Sequence, residues 1–321
     1  MASDETRDGV ALTNLDQPLF EGADATKRDL VDYLDAVSGR ILPELTDRPL
    51  SVIRVHRGQE AFMQKNVPRY TPDWVQTVRL WSESSHRDVD YALCNDRRTL
   101  IWFANQRAVE YHPTLVRSPE LGSPTHLVID IDPPDSGAFP MAVRAAHLVR
   151  EALSELNLSG AVKTSGSKGV HIYVPVDGAP SMPDAAAATR AIAERAARLD
   201  PIIATTAFMK EDRGGKVFID ATRVGWASVV SAYSPRVRPG TPVSFPVAWD
   251  DLDDVSPGDF TIHTASKHLG DRDPWADAMP APQTLDAALV EEGASIPGGR
   301  VQAMHEGKRR ARARRASSLD H

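Results

Sequence analysis

Between Thr125 and Asp220 the apolar pattern changes period four times, and that succession leaves few folds open. His126-Leu-Val-Ile-Asp-Ile-Asp132 reads as a strand and stops at Pro133-Pro134, which cannot donate to a ladder. Residues 140–156 carry Met141, Ala145, Leu148, Val149, Ala152 and Leu156 at helical spacing. Strands at 161–164 and 170–176 flank the tight loop Ser165-Gly-Ser-Lys-Gly169. An Ala-rich helix over 183–199, with Ser181 as its N-cap, leads to a strand at 216–220. The order β-α-β-β-α-β predicts an α+β, ferredoxin-like (RRM-like) module.

That order serves polymerase palms and RNA-recognition folds alike, so the side chains must choose. Asp130 and Asp132 sit two apart and project from one face, with Leu127, Ile129 and Ile131 on the other. Two carboxylates so close repel unless a cation lies between them, and hard oxygen ligands suit Mg²⁺ or Mn²⁺. Asp220 ends the last strand of the unit, which in this order lies beside the first. Three carboxylates then converge, as a two-metal displacement requires. Taken alone, an Asp-x-Asp is also compatible with a solvated strand end. The glycine-rich loop offers backbone N–H groups with Ser165, Ser167 and Lys168 as further donors, a cradle for a triphosphate. Its spacing is not that of a Walker A loop, and a bare turn is the plainer reading of such a hairpin. In the next strand His171 alternates away from Val170, Ile172, Val174 and Val176, which puts it on the polar face near the loop.

Upstream, Leu30, Leu34, Val37 and Ile41 predict one helix over residues 26–45, capped by Thr26 or Asp24. Short strands are expected from Pro49 to about His112, then a connecting segment to Pro124. The chain divides into a disordered stretch at 1–14, an N-terminal mixed α/β module at 15–124, the β-α-β-β-α-β module at 125–300, and a basic tail at 301–321. Net charge is −7, yet residues 308–315 carry six positive charges against −12 upstream, so the balance does not exclude a polyanion. That tail reads equally as a solvated end and as a phosphate-binding arm. A single cysteine, Cys94, excludes a disulfide framework and a Cys-rich zinc site, and favours a reducing compartment. The polar N-terminus is no signal peptide and no apolar run spans a membrane, so a cytoplasmic, nucleoid-associated protein is expected.

Asp130-Ile-Asp132, Ser165-Gly-Ser-Lys-Gly-Val-His171 and Phe218-Ile-Asp220 resemble, in order and spacing, the three motifs of the archaeo-eukaryotic primase superfamily. Leu15-Asp16, Arg48-Pro49-Leu50, Phe62-Met-Gln-Lys65, Asn105 with Glu110-Tyr-His112, and Tyr233-Ser-Pro-Arg236 resemble its bacterial ligase D polymerase branch over roughly residues 10–300. The resemblance implies a template-dependent polymerase, or primase-polymerase, that fills short gaps and breaks and often favours ribonucleotides. It implies two Mn²⁺ or Mg²⁺ ions on Asp130, Asp132 and Asp220, with the first two bridging and Asp220 nearer the 3′-hydroxyl. By position, Ser165, Gly166, Ser167, Lys168, His171 and Arg236 hold the triphosphate, and Arg54, Lys65 and His112 match further nucleotide contacts. Gapped or broken duplex DNA, nucleoside triphosphates and repair proteins such as a ligase or an end-binding protein are the implied partners of a monomer. With no ligase or nuclease segment in the sequence, a free-standing member is expected.

Two departures bear on DNA binding. Where such polymerases carry two lysines that grip a downstream 5′-phosphate, this chain has Lys27 and Gln17. Where they carry two adjacent aromatics, it has Phe62 and Met63. Both fit short-gap or excision repair better than dedicated end joining. Two other classes stay open: a catalytically silent nucleic-acid-binding module, which predicts stacking aromatics where the aspartates stand, and a two-metal nuclease, which has no triphosphate for the loop and Arg236 to hold.

Overall fold

The structure is a computed structural model that describes residues 5–56, 58–82 and 86–298. The basic tail lies outside the described residues. Its first elements are a small hairpin, β1 (Thr6–Arg7) and β2 (Val10–Ala11). The expectation of disorder over 1–14 therefore does not hold for residues 5–14. Val10 and Leu12 are buried, and Asn105 fixes the strand end by bonding both the Ala11 carbonyl and the Thr13 N–H at 3.1 Å. Two apolar residues in a polar stretch find a groove that local sequence does not announce.

Helix α1 (Lys27–Ala36) begins at a capping box: Thr26 Oγ1 accepts from the Asp29 N–H, and the Asp29 carboxylate accepts from the Thr26 N–H. The single helix expected over 26–45 is two, since α2 (Ser38–Leu45) restarts after Val37. Ser38-Gly39 are poor helix formers and Pro43 cannot donate its bond, so the chain bends there. Strands β3 (Leu50–Arg54), β4 (Phe62–Gln64), β5 (Thr77–Ser82) and β6 (Arg87–Ala92), helix α3 (Arg97–Asn105) and β7 (Ala108–Pro113) follow. In this five-stranded sheet β7 runs along one edge of β3, while β4 and β6 share the other.

The second sheet holds β8 (His126–Asp132), β9 (Ala161–Thr164), β10 (Val170–Pro175), β11 (Ala204–Thr205), β12 (Val217–Asp220) and β13 (Pro246–Val247). Its order is β11-β12-β8-β10-β9-β13. The four inner strands β12-β8-β10-β9 make the antiparallel order of the ferredoxin-like fold, as the sequence predicts. Helices α4 (Phe139–Glu155) and α5 (Met182–Leu199) pack on β8, and Ser181 caps α5 by accepting from the Asp184 N–H. Short helices α6 (Ala265–His268) and α7 (Pro274–Ala278) precede α8 (Ala287–Ser295), which lies against α5.

The opposite face of the sheet is roofed rather than open. Tyr173 meets Trp275 edge-on at 5.2 Å, and Tyr233 meets Phe245 in the same way. Every residue of β10 is buried, so its alternation separates two interiors instead of core from solvent. The roof also joins the two sheets: Ser231 N–H donates to the Tyr111 carbonyl, Tyr111 N–H to Ser234 Oγ, and Tyr33 to the Tyr233 carbonyl. One continuous buried cluster runs from Val10 to Leu289.

Helix α8 approaches α5 at Gly293, where an added Cβ would stand 1.8 Å from the Ala187 carbonyl oxygen. Replacing this helical glycine by alanine gains about 1 kcal/mol of propensity. The overpacking against rigid backbone costs about 1–3 kcal/mol and wins. Gly293→Ala is therefore expected to lower Tm in a thermal melt; an unchanged or higher Tm would show that α8 lifts off α5 at no cost.

Candidate active site

The register of β8 assembles the site. Asp220 on β12 pairs with Asp130 on β8, Asp130 with His171 on β10, and His171 with Lys163 on β9. In a sheet, side chains of laterally paired residues share a face. One row across four strands thus carries Asp220, Asp130, His171 and Lys163, with Asp132 one pleat along beside the loop.

Along that row two carboxylates are followed by an imidazole and then an amine. The His171 Nε2 lies 3.3 Å from Asp130 Oδ1, and its Nδ1 lies 2.9 Å from Lys163 Nζ. Burial, then the nearby Lys163 charge, lowers the His171 pKa to about 4, so the ring is neutral near pH 7. Burial opposes ionisation of Asp130, but His171, Arg223 and Lys163 outweigh it and hold the carboxyl at about 2. Burial pushes the Lys163 ammonium well below its usual range, with the Arg236 charge adding to it. Asp132, a third exposed, has its pKa raised by burial and by the neighbouring Asp130 charge. Lys168 relieves it in part from 3.7 Å while donating to the Pro133 carbonyl.

The loop between β9 and β10 is held from inside. Ser165 Oγ accepts from the Ser167 and Gly169 N–H groups, and Ser165 N–H donates to the Gly169 carbonyl. Gly166 has φ 65°, and a Cβ there would come within 2.7 Å of Arg236 Cγ and the Ser244 nitrogen. Gly169 passes so close to Ile131 that a Cβ would meet its carbonyl oxygen at 2.1 Å. Both positions demand glycine, which brings the loop backbone down beside Asp132. Arg236 donates to the Ser165 carbonyl and stands 3.0 Å from Glu110 Oε2.

Of the residues singled out from the sequence, the structure gathers Asp130, Asp132, Asp220, the loop 165–168, His171, Arg236 and His112. His112 Nε2 donates to Glu110 Oε2 at 2.8 Å, and Glu110 Oε1 accepts from the Val237 N–H. Arg54 instead bonds Gln64, Tyr70 and the Gln106 carbonyl, and none of its bonds reaches the aspartates. Lys65 is exposed just beyond β4. Phe62 and Met63 are exposed on β4, with Phe62 stacked on His56 at 5.3 Å. Lys27 is buried with Nζ turned to the Thr13 carbonyl, and burial with the Arg107 charge lowers it to about 8. Gln17 is half-buried and its carbonyl accepts from the Lys27 N–H.

Sequence reasoning missed Lys163, Arg223 and Arg213 and gave Glu110 no role. Arg223 Nε lies 3.4 Å from Asp130 Oδ2 and 3.5 Å from Asp220 Oδ2, so one positive charge already serves two carboxylates. Arg213 covers the Phe218 ring at 3.8 Å and adds positive potential to Asp132 and Asp220. Arg223 lies three residues beyond Asp220 in the irregular segment after β12, where no periodicity announces its direction.

Among the described residues no three His, Cys, Asp or Glu side chains are gathered as a metal-binding group. The donor set nonetheless fits hard divalent cations. Its oxygens belong to carboxylates, Asp132 carries repulsion that Lys168 relieves only in part, and Asp130 and Asp220 converge on a single cationic nitrogen.

Glu110 gives a test of the cluster's energetics. Burial raises its pKa, but the His112 and Arg236 contacts win and bring it from 4.5 to about 2. A depressed carboxylate contributes stability above its unfolded pKa and loses it as pH falls through the folded one. Glu110→Gln is expected to cost on the order of 3 kcal/mol at pH 7 in chemical denaturation. The gap from the parent protein should close between pH 4.5 and 2; a pH-independent gap would show that the charge is not what matters.

The family described as LigD, primase-polymerase domain, matches residues 26–275. A bifunctional non-homologous end joining protein LigD of Bacillus subtilis is 33% identical over 260 residues, 79% of this chain and 41% of the relative. A multifunctional counterpart from Mycolicibacterium smegmatis is 30% identical over 294 residues, 90% of this chain and 38% of the relative. The chain thus spans about two fifths of the length of these curated relatives. Among solved structures, the polymerase domain of Mycobacterium tuberculosis ligase D in complex with DNA superposes with a TM-score of 0.74 at 30% identity. That match covers 84% of this chain and 99% of the other.

Proposed function

The chain belongs to the LigD primase-polymerase domain family, and we propose that it is a template-dependent nucleotidyltransferase that fills short gaps or breaks in duplex DNA. The observation that supports this most directly is the lateral row of Asp220, Asp130 and His171 running beside the glycine-rich loop. Carboxylates for cations and backbone donors for phosphate oxygens meet at one sheet end. A nuclease needs only the first of these.

In this reading Asp130, Asp132 and Asp220 would hold two divalent cations, Mg²⁺ or Mn²⁺. Such ions, when bound, activate a 3′-hydroxyl and neutralise the departing pyrophosphate. The remaining work falls to the chain's own groups. The Gly166 and Lys168 N–H groups and the Ser167 hydroxyl orient the triphosphate, and the Lys168 and Arg236 side chains neutralise its charge. His171, neutral, offers an N–H donor rather than a further cation. His112 and Glu110 hold the Arg236 guanidinium against the loop, so it needs little reorganisation when the nucleotide arrives. Duplex DNA with a gap or break, and nucleoside triphosphates with ribonucleotides favoured, are the proposed substrates. The relatives' names point to non-homologous end joining, and proteins such as a ligase or an end-binding protein are the proposed partners. Among the described residues no helix is long and apolar enough to cross a membrane.

The reading is tested by primer extension across a one- or two-nucleotide gap with Mn²⁺, comparing ribo- with deoxynucleoside triphosphates. Asp132→Ala should cut templated addition at least about a hundredfold, several kcal/mol of transition-state stabilisation. It should leave Tm intact or raised, because repulsion from Asp130 is relieved. Binding of the gap without any addition by the parent protein would move the assignment to a silent nucleic-acid-binding module.

The downstream contact is tested separately at Gln17, whose carbonyl bonds the Lys27 N–H. Gln17→Lys should tighten binding of a gap bearing a 5′-phosphate about three- to tenfold at low salt, with a salt slope about one charge steeper. Equal affinity of parent and variant in fluorescence anisotropy would remove Gln17 from that contact.

A further inference from the structure

Lys163 is fully buried, lies on β9 at the inner end of the charged row, and has no part in the chemistry described so far. A four-residue buried strand has no packing need for an amine there, and burying one unpaired costs several kcal/mol. Its three neighbours show what holds it. Nζ donates to Ser244 Oγ, whose own proton is committed to the Thr164 carbonyl at 2.9 Å. It lies 5.6 Å from the Tyr173 ring centroid, on the face of the ring. Its remaining hydrogen-bond contact is His171 Nδ1 at 2.9 Å.

Held as an ammonium between Ser244 Oγ and the Tyr173 ring face, Lys163 has donors and no acceptor, which makes Nδ1 the accepting nitrogen and leaves the ring proton on Nε2. Nε2 is the atom that faces Asp130 Oδ1 at 3.3 Å, at the end of the row where the carboxylates and the loop meet. With the opposite tautomer a lone pair would face a carboxylate and, in the loaded site, phosphate oxygens. The partner of one ring nitrogen thereby decides what the other can do.

We propose that Lys163 is a positioning residue for nucleotide transfer, locking His171 as the Nε2–H tautomer so that the imidazole presents a donor to the incoming triphosphate. The proposal rests on the polymerase reading for its consequence in activity, but the tautomer itself is a property of the protein alone. Asp130 accepts from Nε2–H before nucleotide enters, which keeps the ring plane set. Lys163 and the Ser244 hydroxyl form the fixed end of the chain, anchored to the Thr164 carbonyl through buried hydrogen bonds.

The test is a long-range ¹H–¹⁵N correlation spectrum of the histidine ring nitrogens in the metal-free, full-length protein near pH 7, with His171 assigned by His171→Gln. The parent protein should show His171 as a single Nε2–H tautomer. Lys163→Met should show the Nδ1–H form or a mixture, and Lys163→Arg, which keeps a donor, should restore the single form. In gap extension Lys163→Met should raise KM for the nucleotide about three- to tenfold, the worth of one hydrogen bond, with kcat changed less than about twofold.

An Nδ1–H tautomer or a mixture in the parent protein overturns the proposal, and that result does not depend on a Lys163 variant folding. An Nε2–H tautomer that survives in Lys163→Met, with kcat and Tm falling together, also overturns it and leaves Lys163 a purely structural group. Should the parent protein show the tautomer but extend no primer, the polymerase reading fails while the positioning of His171 stands.

Discussion

The antiparallel register between β8 and its two neighbours is the constraint on which the site depends. Asp130 opposes Asp220 on one side and His171 on the other, and a one-residue slip of either strand would turn its functional side chain to the opposite face. Register is fixed by what lies on that opposite face. Leu127, Ile129 and Ile131 are fully buried beneath α4 and α5, so no slip is tolerated. Pro133-Pro134 ends the strand where pairing must stop, and Gly169 lets the loop backbone press on the Ile131 carbonyl. Apolar packing on one face thus sets the position of charge on the other.

The second constraint is the roof. Arg236 comes from the segment after β12, Glu110 and His112 from β7 of the other sheet, and Ser165 from the loop. Their meeting requires both sheets to share a core, and bonds between residues 229–237 and β7 provide the join. The Arg236 side of the site is therefore an interface between the two sheets, while the carboxylate side belongs to one sheet alone. Damage to the interface should disturb the first without unmaking the second.

Much of this is visible in the sequence because it is local. Leu-Val-Ile-Asp-Ile-Asp followed by two prolines, the loop at 165–169, Ser181 as a cap and Phe218-Ile-Asp220 each carry their structure within a few residues. The topology then places Asp220 beside Asp130 without further information. What escaped is non-local. Val10 and Leu12 look like stray apolar residues in a polar stretch until Asn105 and the groove beside α3 are present. Alternation assigns His171 and Lys163 to a solvent face, and only the fold shows that residues 229–247 and α7 cover it. Lys163 thus reads from the sequence as an ordinary surface lysine.

The row's two cationic ends differ in kind. Arg223 at the outer end is more than a third exposed and pairs with Asp130 and Asp220 at 3.4–3.5 Å, a contact worth at most about 1 kcal/mol in solvent. Lys163 at the inner end is wholly buried, and losing its partners would leave an unsatisfied buried donor costing about 1–3 kcal/mol. A cation approaching from solvent would meet Arg223, a weak and movable occupant, and not Lys163. Lys168, also partly exposed and 3.7 Å from Asp132, is displaceable in the same sense. The donor at the mouth is exchangeable and the donor at the back is fixed, so the row is open to change from the Arg223 end alone.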